Sequence, residues 1–124
     1  MILVDTSVWL DHLSRGNPTL ADLLNEGLVA CHPFVIGELA CGYLRNRQEI
    51  LSLLSALPQA RVAEHDELIA FTRRRRLFGR GLGWIDIQLL GSAHLSGCTL
   101  WTSDRALSET AKSLRIAADV EGVR

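Results

Sequence analysis

Four acidic residues lie far apart in the chain, yet each stands where its carboxylate could act together with the others: Asp5, Glu38, Asp86 and Asp104. Two of them follow short apolar runs, at 2–4 and 99–101, of the kind that form buried parallel strands. Because ligands bind at the carboxyl ends of the strands in such sheets, Asp5 and Asp104 are expected at the functional edge. The alternative for each is a helix N-cap, a position that aspartate also favours.

The other two acids fall on predicted helices that are largely apolar, Glu38 in residues 33–44 and Asp86 in residues 85–95. A carboxylate on an apolar helix face must be paired, hydrogen-bonded or bound to a metal. Asp86 lies in the first turn of its helix, where the helix dipole favours an anion. The alternative is an ion pair with an arginine, although the arginine nearest to Glu38 in the sequence is Arg45.

Four carboxylates that converge repel one another unless a counter-charge is present, which points to a bound cation. The three cysteines and four histidines have no metal-ligand spacing, and we expect Cys31, Cys41 and Cys98 to pack as small apolar residues. Because oxygen ligands favour Mg²⁺ or Mn²⁺, the four acids are predicted to be both the metal ligands and the catalytic residues. Such sites commonly serve phosphoryl transfer, where the ion activates water and neutralises charge on the phosphate.

Basic residues are concentrated in the middle of the chain. Residues 45–80 carry eight arginines against four acids, whereas residues 1–44 carry one arginine against five acids. This asymmetry suits an anionic substrate beside an acidic metal site. Arg73, Arg76 and Arg80 are the predicted phosphate contacts, Arg80 because it lies in a glycine-rich stretch just before the third acid. A solvated helix surface, or a docking surface for an acidic partner, is the alternative for the arginine run.

Three tryptophans adjoin the acidic motifs in the sequence, Trp9, Trp84 and Trp101. Large aromatic side chains contribute heavily to cores and interfaces, so packing is favoured over base stacking for all three. Together with the arginine run, they are the possible contact surfaces for a partner.

The elements that must position these residues alternate between short apolar strands and helices, which predicts an α/β fold with a parallel sheet. The length favours one domain over residues 1–124, since chains usually split only above about 250 residues. Strands are predicted at 2–4, 28–31, 61–63 and 99–101, and helices at 8–13, 19–26, 33–44, 49–57, 66–78, 85–95 and 104–114. Because no apolar run approaches the roughly 20 residues that span a bilayer and the N-terminus does not resemble a signal peptide, a cytoplasmic domain is expected.

Four short motifs resemble, in order and spacing, those of the PIN-domain ribonucleases, and more narrowly the VapC-type toxins of bacterial toxin–antitoxin pairs. They are VDTSVW at 4–9, IGEL at 36–39, WID at 84–86 and WTSD at 101–104. The resemblance extends from about residue 2 to residue 118 and implies a three-layer α/β/α sandwich around a short parallel sheet. Within it, the four acids match the acidic positions of the family one for one.

The activity that the resemblance implies is Mg²⁺- or Mn²⁺-dependent endonucleolytic cleavage of RNA by an activated water. Glu38 is the carboxylate chosen to accept the proton of that water, and in-line attack would leave a 5′-phosphate and a 3′-hydroxyl. Thr6 and Thr102 fall where the family has hydroxyl residues that orient its acids, and Ser7 is expected to help. After the fourth acid the family often has a further acid and an aromatic residue, whereas this chain has Ala106 and Leu107. This difference leaves open whether the site binds one metal ion or two.

The partners implied by the resemblance are an RNA substrate, a cognate antitoxin and a second copy of the chain in a homodimer, with no membrane association. Two alternatives remain open from the residues. One is a metal-dependent phosphatase or DNA nuclease that uses the same acids. The other is a non-catalytic module whose acids pair with arginines and whose apolar helices dock a partner.

Overall fold

A three-stranded parallel sheet lies at the centre of the computed structural model, which describes residues 1–120. The elements in that range are β1 (Ile2–Val4), α1 (Thr6–Arg15), α2 (Pro18–Asn25), β2 (Val29–Ala30), α3 (Pro33–Cys41), α4 (Arg47–Ala56), α5 (His65–Arg74), α6 (Trp84–Ser96), β3 (Thr99–Trp101) and α7 (Arg105–Ser113). Helices α6 and α7 pack against β3, α1 packs against α3, and α5 packs against α6. The predicted three-layer α/β/α sandwich with a short parallel sheet is confirmed.

Strand β1 lies in the middle of the sheet, between β2 and β3, and pairs in parallel with both. Ile2 is in register with Val29 on one side, and Val4 is in register with Trp101 on the other. Because β1 and β3 are parallel neighbours, the residues that follow them leave the sheet at the same edge. The Asp5 amide continues this pairing by donating to the Trp101 carbonyl at 2.9 Å.

The weak strand predicted at 61–63 is wrong. The chain pairs with the sheet earlier, through a parallel bridge between Cys31 and Gln59. There the Cys31 amide donates to the Pro58 carbonyl at 2.8 Å, and the Ala60 amide donates to the Cys31 carbonyl at 2.7 Å. Pro58 disfavours a helical conformation at Leu57, so the chain is already extended there, with φ −69° and ψ 158°, rather than from residue 61.

Helices α3 and α5 end earlier than the predicted limits of 44 and 78. Gly42 is extended after α3, with φ −94° and ψ 179°, and Arg47 donates to the carbonyls of Ala40 and Gly42. After Arg74, the last residue of α5, the chain reaches a left-handed conformation at Arg76, with φ 53°. The arginine run therefore continues past the helix into a turn.

Buried apolar residues from the sheet and the surrounding helices form one core, with Leu3, Leu89 and Leu100 among its most buried members. Gly91 permits α5 and α6 to approach closely, because a Cβ at that position would lie 2.4 Å from Leu68 Cδ2. Across the described part of the chain, no helix has the length and apolar character needed to cross a membrane.

The cysteines divide between core and surface. Cys31 and Cys98 are buried as predicted, whereas Cys41 is exposed, so the packing prediction is wrong for that residue. Cys41 is the last residue of α3, a helix that is apolar on nearly every side. Periodicity therefore could not indicate which of its residues face the core.

Candidate functional site

Asp5 follows β1 at the edge of the sheet and is the most buried of the four acids, with 7% of its surface exposed. Its Oδ1 accepts a hydrogen bond from the Thr6 amide at 2.7 Å, and this contact caps α1. Its Oδ2 accepts from the hydroxyls of Ser7 at 2.9 Å and Thr102 at 2.6 Å. The Ser7 hydroxyl in turn accepts from the Ser103 amide at 3.0 Å. Hydrogen bonds from residues that follow β1 and from a residue that follows β3 therefore fix this carboxylate.

The Thr102 hydroxyl connects two of the acids. It donates to Asp5 and also accepts from the Asp104 amide at 3.0 Å. Asp104 caps α7, with its Oδ2 accepting from the Leu107 amide at 2.9 Å. Both aspartates therefore cap helices, as the N-cap alternative predicted. They also lie at one edge of the sheet, where Thr102 connects them.

Glu38 lies on α3 and is exposed, which contradicts the prediction that it occupies a buried apolar helix face. The buried residues of that helix are Val35 and Leu39. The Glu38 carboxylate accepts from the Thr6 hydroxyl at 2.6 Å, and the Thr6 amide donates to Asp5. Thr6 therefore connects Glu38 to Asp5 much as Thr102 connects Asp104 to Asp5.

Asp86 lies half-buried in the first turn of α6, where its Oδ2 accepts from the Gly83 amide at 2.9 Å. Burial raises the pKa of its carboxyl, and the negative charges of Asp5, Asp104 and Glu38 raise that pKa further, against an opposing hydrogen bond from Gly83. The structure thus brings all four acids close enough for the other three to disfavour the ionised form of Asp86.

None of these four acids has an arginine partner among residues 1–120. The ion pairs in that range join Arg15 to Asp11 and Arg105 to Glu109, each between residues four apart on one helix. The alternative that an arginine neutralises each acid therefore has no support in the described structure. The four carboxylates therefore concentrate negative charge, and no basic side chain in residues 1–120 forms an ion pair with them.

The donor set fits a hard divalent cation in its chemistry, since it consists of carboxylate oxygens that repel one another. Within the described range, however, no three histidine, cysteine, aspartate or glutamate side chains are already arranged as a ligand set. The carboxylates instead accept hydrogen bonds from helix amides and neighbouring hydroxyls. A bound cation would have to replace some of these hydrogen bonds.

The predicted phosphate contacts lie outside this acidic cluster. Arg73, Arg76 and Arg80 are all exposed. Arg80 donates to the Ser113 hydroxyl at 3.4 Å, at the end of α7 opposite Asp104. Ser113 lies nine positions after Asp104, about 13 Å along the helix axis. The structure therefore does not bring Arg80 to the acids in this arrangement.

His32 joins the two helices that carry Glu38 and Asp86, a connection that the sequence did not predict. The residue is fully buried and caps α3, with Nδ1 accepting from the Phe34 amide at 2.9 Å. Its Nε2 lies 2.9 Å from the Ser92 hydroxyl on α6. Because Nδ1 is an acceptor, Nε2 carries the proton and donates to Ser92. A histidine directly before Pro33 is the one sequence signal for such a cap, but its partner lies sixty residues away.

We expect His32 to make the stability of the protein depend on pH. Burial lowers the pKa of its imidazole from 6.5 to about 4, so the unfolded chain binds a proton first as the pH falls. The free energy of unfolding should therefore fall between pH 6.5 and 4, by at most about 1.4 kcal/mol per pH unit from this group. Denaturant titrations should show a shallower decline for His32→Asn, which keeps a capping side chain. Exposed His94→Asn is the matched control, and equal slopes for His32→Asn and wild type would contradict the prediction.

Comparison with known proteins matches the sequence of this chain to one family. A family model described as the PIN domain matches residues 2–113, which include all four acids. Two curated relatives are each named Ribonuclease VapC32, from the CDC 1551 / Oshkosh and ATCC 25618 / H37Rv strains of Mycobacterium tuberculosis. Each is 50% identical over 108 residues, which cover 86% of this chain and 87% of the relative. The chain therefore belongs to the PIN domain family, among its VapC-type members, as the sequence resemblance implied.

Proposed function

We propose that this protein is a Mg²⁺- or Mn²⁺-dependent endoribonuclease and the toxin of a toxin–antitoxin pair. The observation that carries the proposal is the cluster of four acids, three of them linked at the sheet edge through Thr6 and Thr102, with no basic partner in the described structure. The relatives named as ribonucleases support RNA as the substrate. We assign the whole chain, residues 1–124, to one nuclease domain.

Asp5, Asp86 and Asp104, with Glu38, are the residues that would hold the cation. When bound, a divalent ion supplies Lewis-acid activation of water and neutralises charge on the phosphate. Thr6, Ser7 and Thr102 orient these carboxylates through the hydrogen bonds at the sheet edge. Fixed orientation matters because outer hydrogen bonds of this kind hold metal ligands in a productive geometry.

Glu38 is proposed to accept the proton of the attacking water. It is the most suitable of the four because it is exposed and accepts one hydrogen bond, from Thr6, that leaves its second oxygen available. Attack on phosphorus in line with the 3′ oxygen then leaves a 5′-phosphate and a 3′-hydroxyl. Since the nucleophile is water, the RNA 2′-hydroxyl has no role in the bond-breaking step, and preference for RNA must arise from binding.

The test is cleavage of defined oligonucleotides by the purified protein, free of any inhibitor, with Mg²⁺ or Mn²⁺ present. We expect cleavage of single-stranded RNA into fragments that carry 5′-phosphates, with little cleavage of the matched DNA or of small phosphate esters. Intact RNA in the presence of Mn²⁺ would contradict the proposal. Equal cleavage of DNA, or faster hydrolysis of small esters, would replace it with the DNA nuclease or the phosphatase.

The partners of this function are proposed on the same basis. A VapC-type toxin requires a cognate antitoxin, and we propose that the chain binds one, forms a homodimer and acts in the cytoplasm. Co-expression with the product of a small neighbouring reading frame should yield a stable complex in which RNA cleavage is inhibited. Unchanged cleavage in that complex would contradict the toxin assignment while leaving the nuclease assignment intact.

A further inference from the structure

Trp84 differs from the other two tryptophans in its exposure. Trp9 and Trp101 are each 3% exposed, as the packing prediction requires, whereas 40% of the surface of Trp84 is exposed. Burying an aromatic ring is favourable, so an indole left this open beside a candidate site calls for an explanation. Its position supplies one, because Trp84 is the first residue of α6, the helix whose first turn carries Asp86.

The Trp84 ring is supported from one direction. The ring centroid of His65, the first residue of α5, lies 5.3 Å from that of Trp84, with the two planes tilted by 56°. This contact limits the rotation of the indole while the exposed part of its surface stays accessible. A supported and partly exposed ring is suited to stacking with a second planar group.

Cationic and aromatic side chains precede this ring in the sequence, at the end of α5 and in the connection that leads to α6. The five arginines at 73–76 and 80 are all exposed, and none of them forms an ion pair within residues 1–120. Phe78, between them, is also largely exposed. Arginines that follow a phosphate backbone, interleaved with rings on which bases stack, are typical of surfaces that bind single-stranded nucleic acid.

We propose that Trp84 stacks on a base of single-stranded RNA one or two nucleotides from the scissile phosphate, and that arginines of the 73–80 segment bind phosphates farther along the strand. This rests on the nuclease function proposed above. Residues two apart on a helix point about 160° from each other, so Trp84 and Asp86 serve different nucleotides of one strand. Stacking is tolerant of sequence, since every base has an aromatic face, and Trp84 would therefore favour unpaired RNA rather than one particular base.

An acidic protein is the competing occupant of this surface. RNA is favoured because the exposed indole lies in the first turn of the helix that holds a candidate catalytic acid, where a substrate must come close. An acidic protein would use the arginines but would not require an exposed ring on the first turn of that helix. The two occupants therefore differ in what the loss of Trp84 does to RNA binding.

The test measures binding in EDTA, so that no cleavage occurs, by anisotropy of a labelled single-stranded RNA. Trp84→Ala should weaken binding about 5- to 100-fold, the range for the loss of one stacked base, and Trp84→Phe should retain most of it. Tyr43→Ala is the matched control, because Tyr43 is 95% exposed and lies on the α3–α4 connection, far from α6 in the sequence. Unchanged binding by Trp84→Ala would overturn the proposal.

Abasic substitution locates the stacked base. In a set of oligonucleotides with one abasic position each, one position should weaken binding to wild type several-fold and have little further effect on Trp84→Ala. Additive losses at every position would contradict stacking on Trp84. The outcomes also distinguish the two proposals. If Trp84 contributes to RNA binding but the protein does not cleave RNA in Mn²⁺, only the proposed nuclease function is contradicted. If Trp84→Ala leaves cleavage unaffected, only the proposed stacking is contradicted.

Discussion

Asp86→Asn is expected to reduce RNA cleavage by at least about 100-fold while leaving the metal-free protein as stable as wild type or more so. The loss of activity follows because a ligand to the catalytic ion contributes several kcal/mol to the transition state, and each 1.4 kcal/mol is a factor of ten. The gain in stability follows because burial raises the pKa of the Asp86 carboxyl, and the negative charges of Asp5, Asp104 and Glu38 raise it further. The ionised form is therefore disfavoured in the fold, and its cost grows as the pH rises above the ordinary value of 3.8.

The measurement pairs single-turnover cleavage with denaturant unfolding in EDTA at pH 7. The amide oxygen of asparagine can still accept from the Gly83 amide, so the start of α6 is preserved. Asp22→Asn provides the same chemical change at an exposed residue of α2, a helix that carries none of the four candidate acids, and should retain activity. Full activity in Asp86→Asn would contradict the metal-ligand role, and a clear loss of stability would mean that the charge of Asp86 is compensated in the fold.

Thr102→Val should lower cleavage about 10- to 100-fold, the usual cost of removing a hydrogen bond that orients a metal ligand. Valine keeps the shape of threonine but removes the hydroxyl that donates to Asp5 and accepts from the Asp104 amide. Because Thr102 is buried, stability should also fall by about 1–3 kcal/mol. Thr102→Ser restores the hydroxyl and should return cleavage to within a few-fold of wild type.

Thr110→Val separates the two effects of that change. Thr110 is equally buried on α7, and its hydroxyl donates to the Ala106 carbonyl at 2.9 Å, a contact within the helix. We expect a loss of stability without a matching loss of cleavage per folded molecule. If Thr102→Val and Thr110→Val reduced cleavage equally, the hydroxyl of Thr102 would have no positioning role.

The arrangement of Asp5 and Asp104 could be predicted from the sequence because two parallel strands that are neighbours must end at one edge. The apolar runs before them identify the strands, and the hydroxyl residues after them supply the donors that fix Asp5. The exposure of Glu38 could not be predicted, since α3 is apolar on most of its surface and its pattern does not distinguish the buried side.

Contacts between distant residues account for most of what sequence reasoning missed. The hydrogen bond between His32 and Ser92 depends on how α3 and α6 pack, which no local pattern encodes. The end of α5 depends on Arg76 adopting a left-handed conformation, although no glycine or proline marks the turn there. The pairing of Cys31 with Gln59 likewise depends on where Pro58 brings the chain against the sheet.

Calorimetric titration of Mn²⁺ into wild type and Asp86→Asn tests most directly whether the four acids form a cation site. We expect wild type to bind the ion and Asp86→Asn to bind it at least about ten times more weakly, with a matching loss of the ion's effect on the melting temperature. Wild-type protein that shows neither heat of binding nor a change in melting temperature, or equal affinity in the two proteins, would contradict the site.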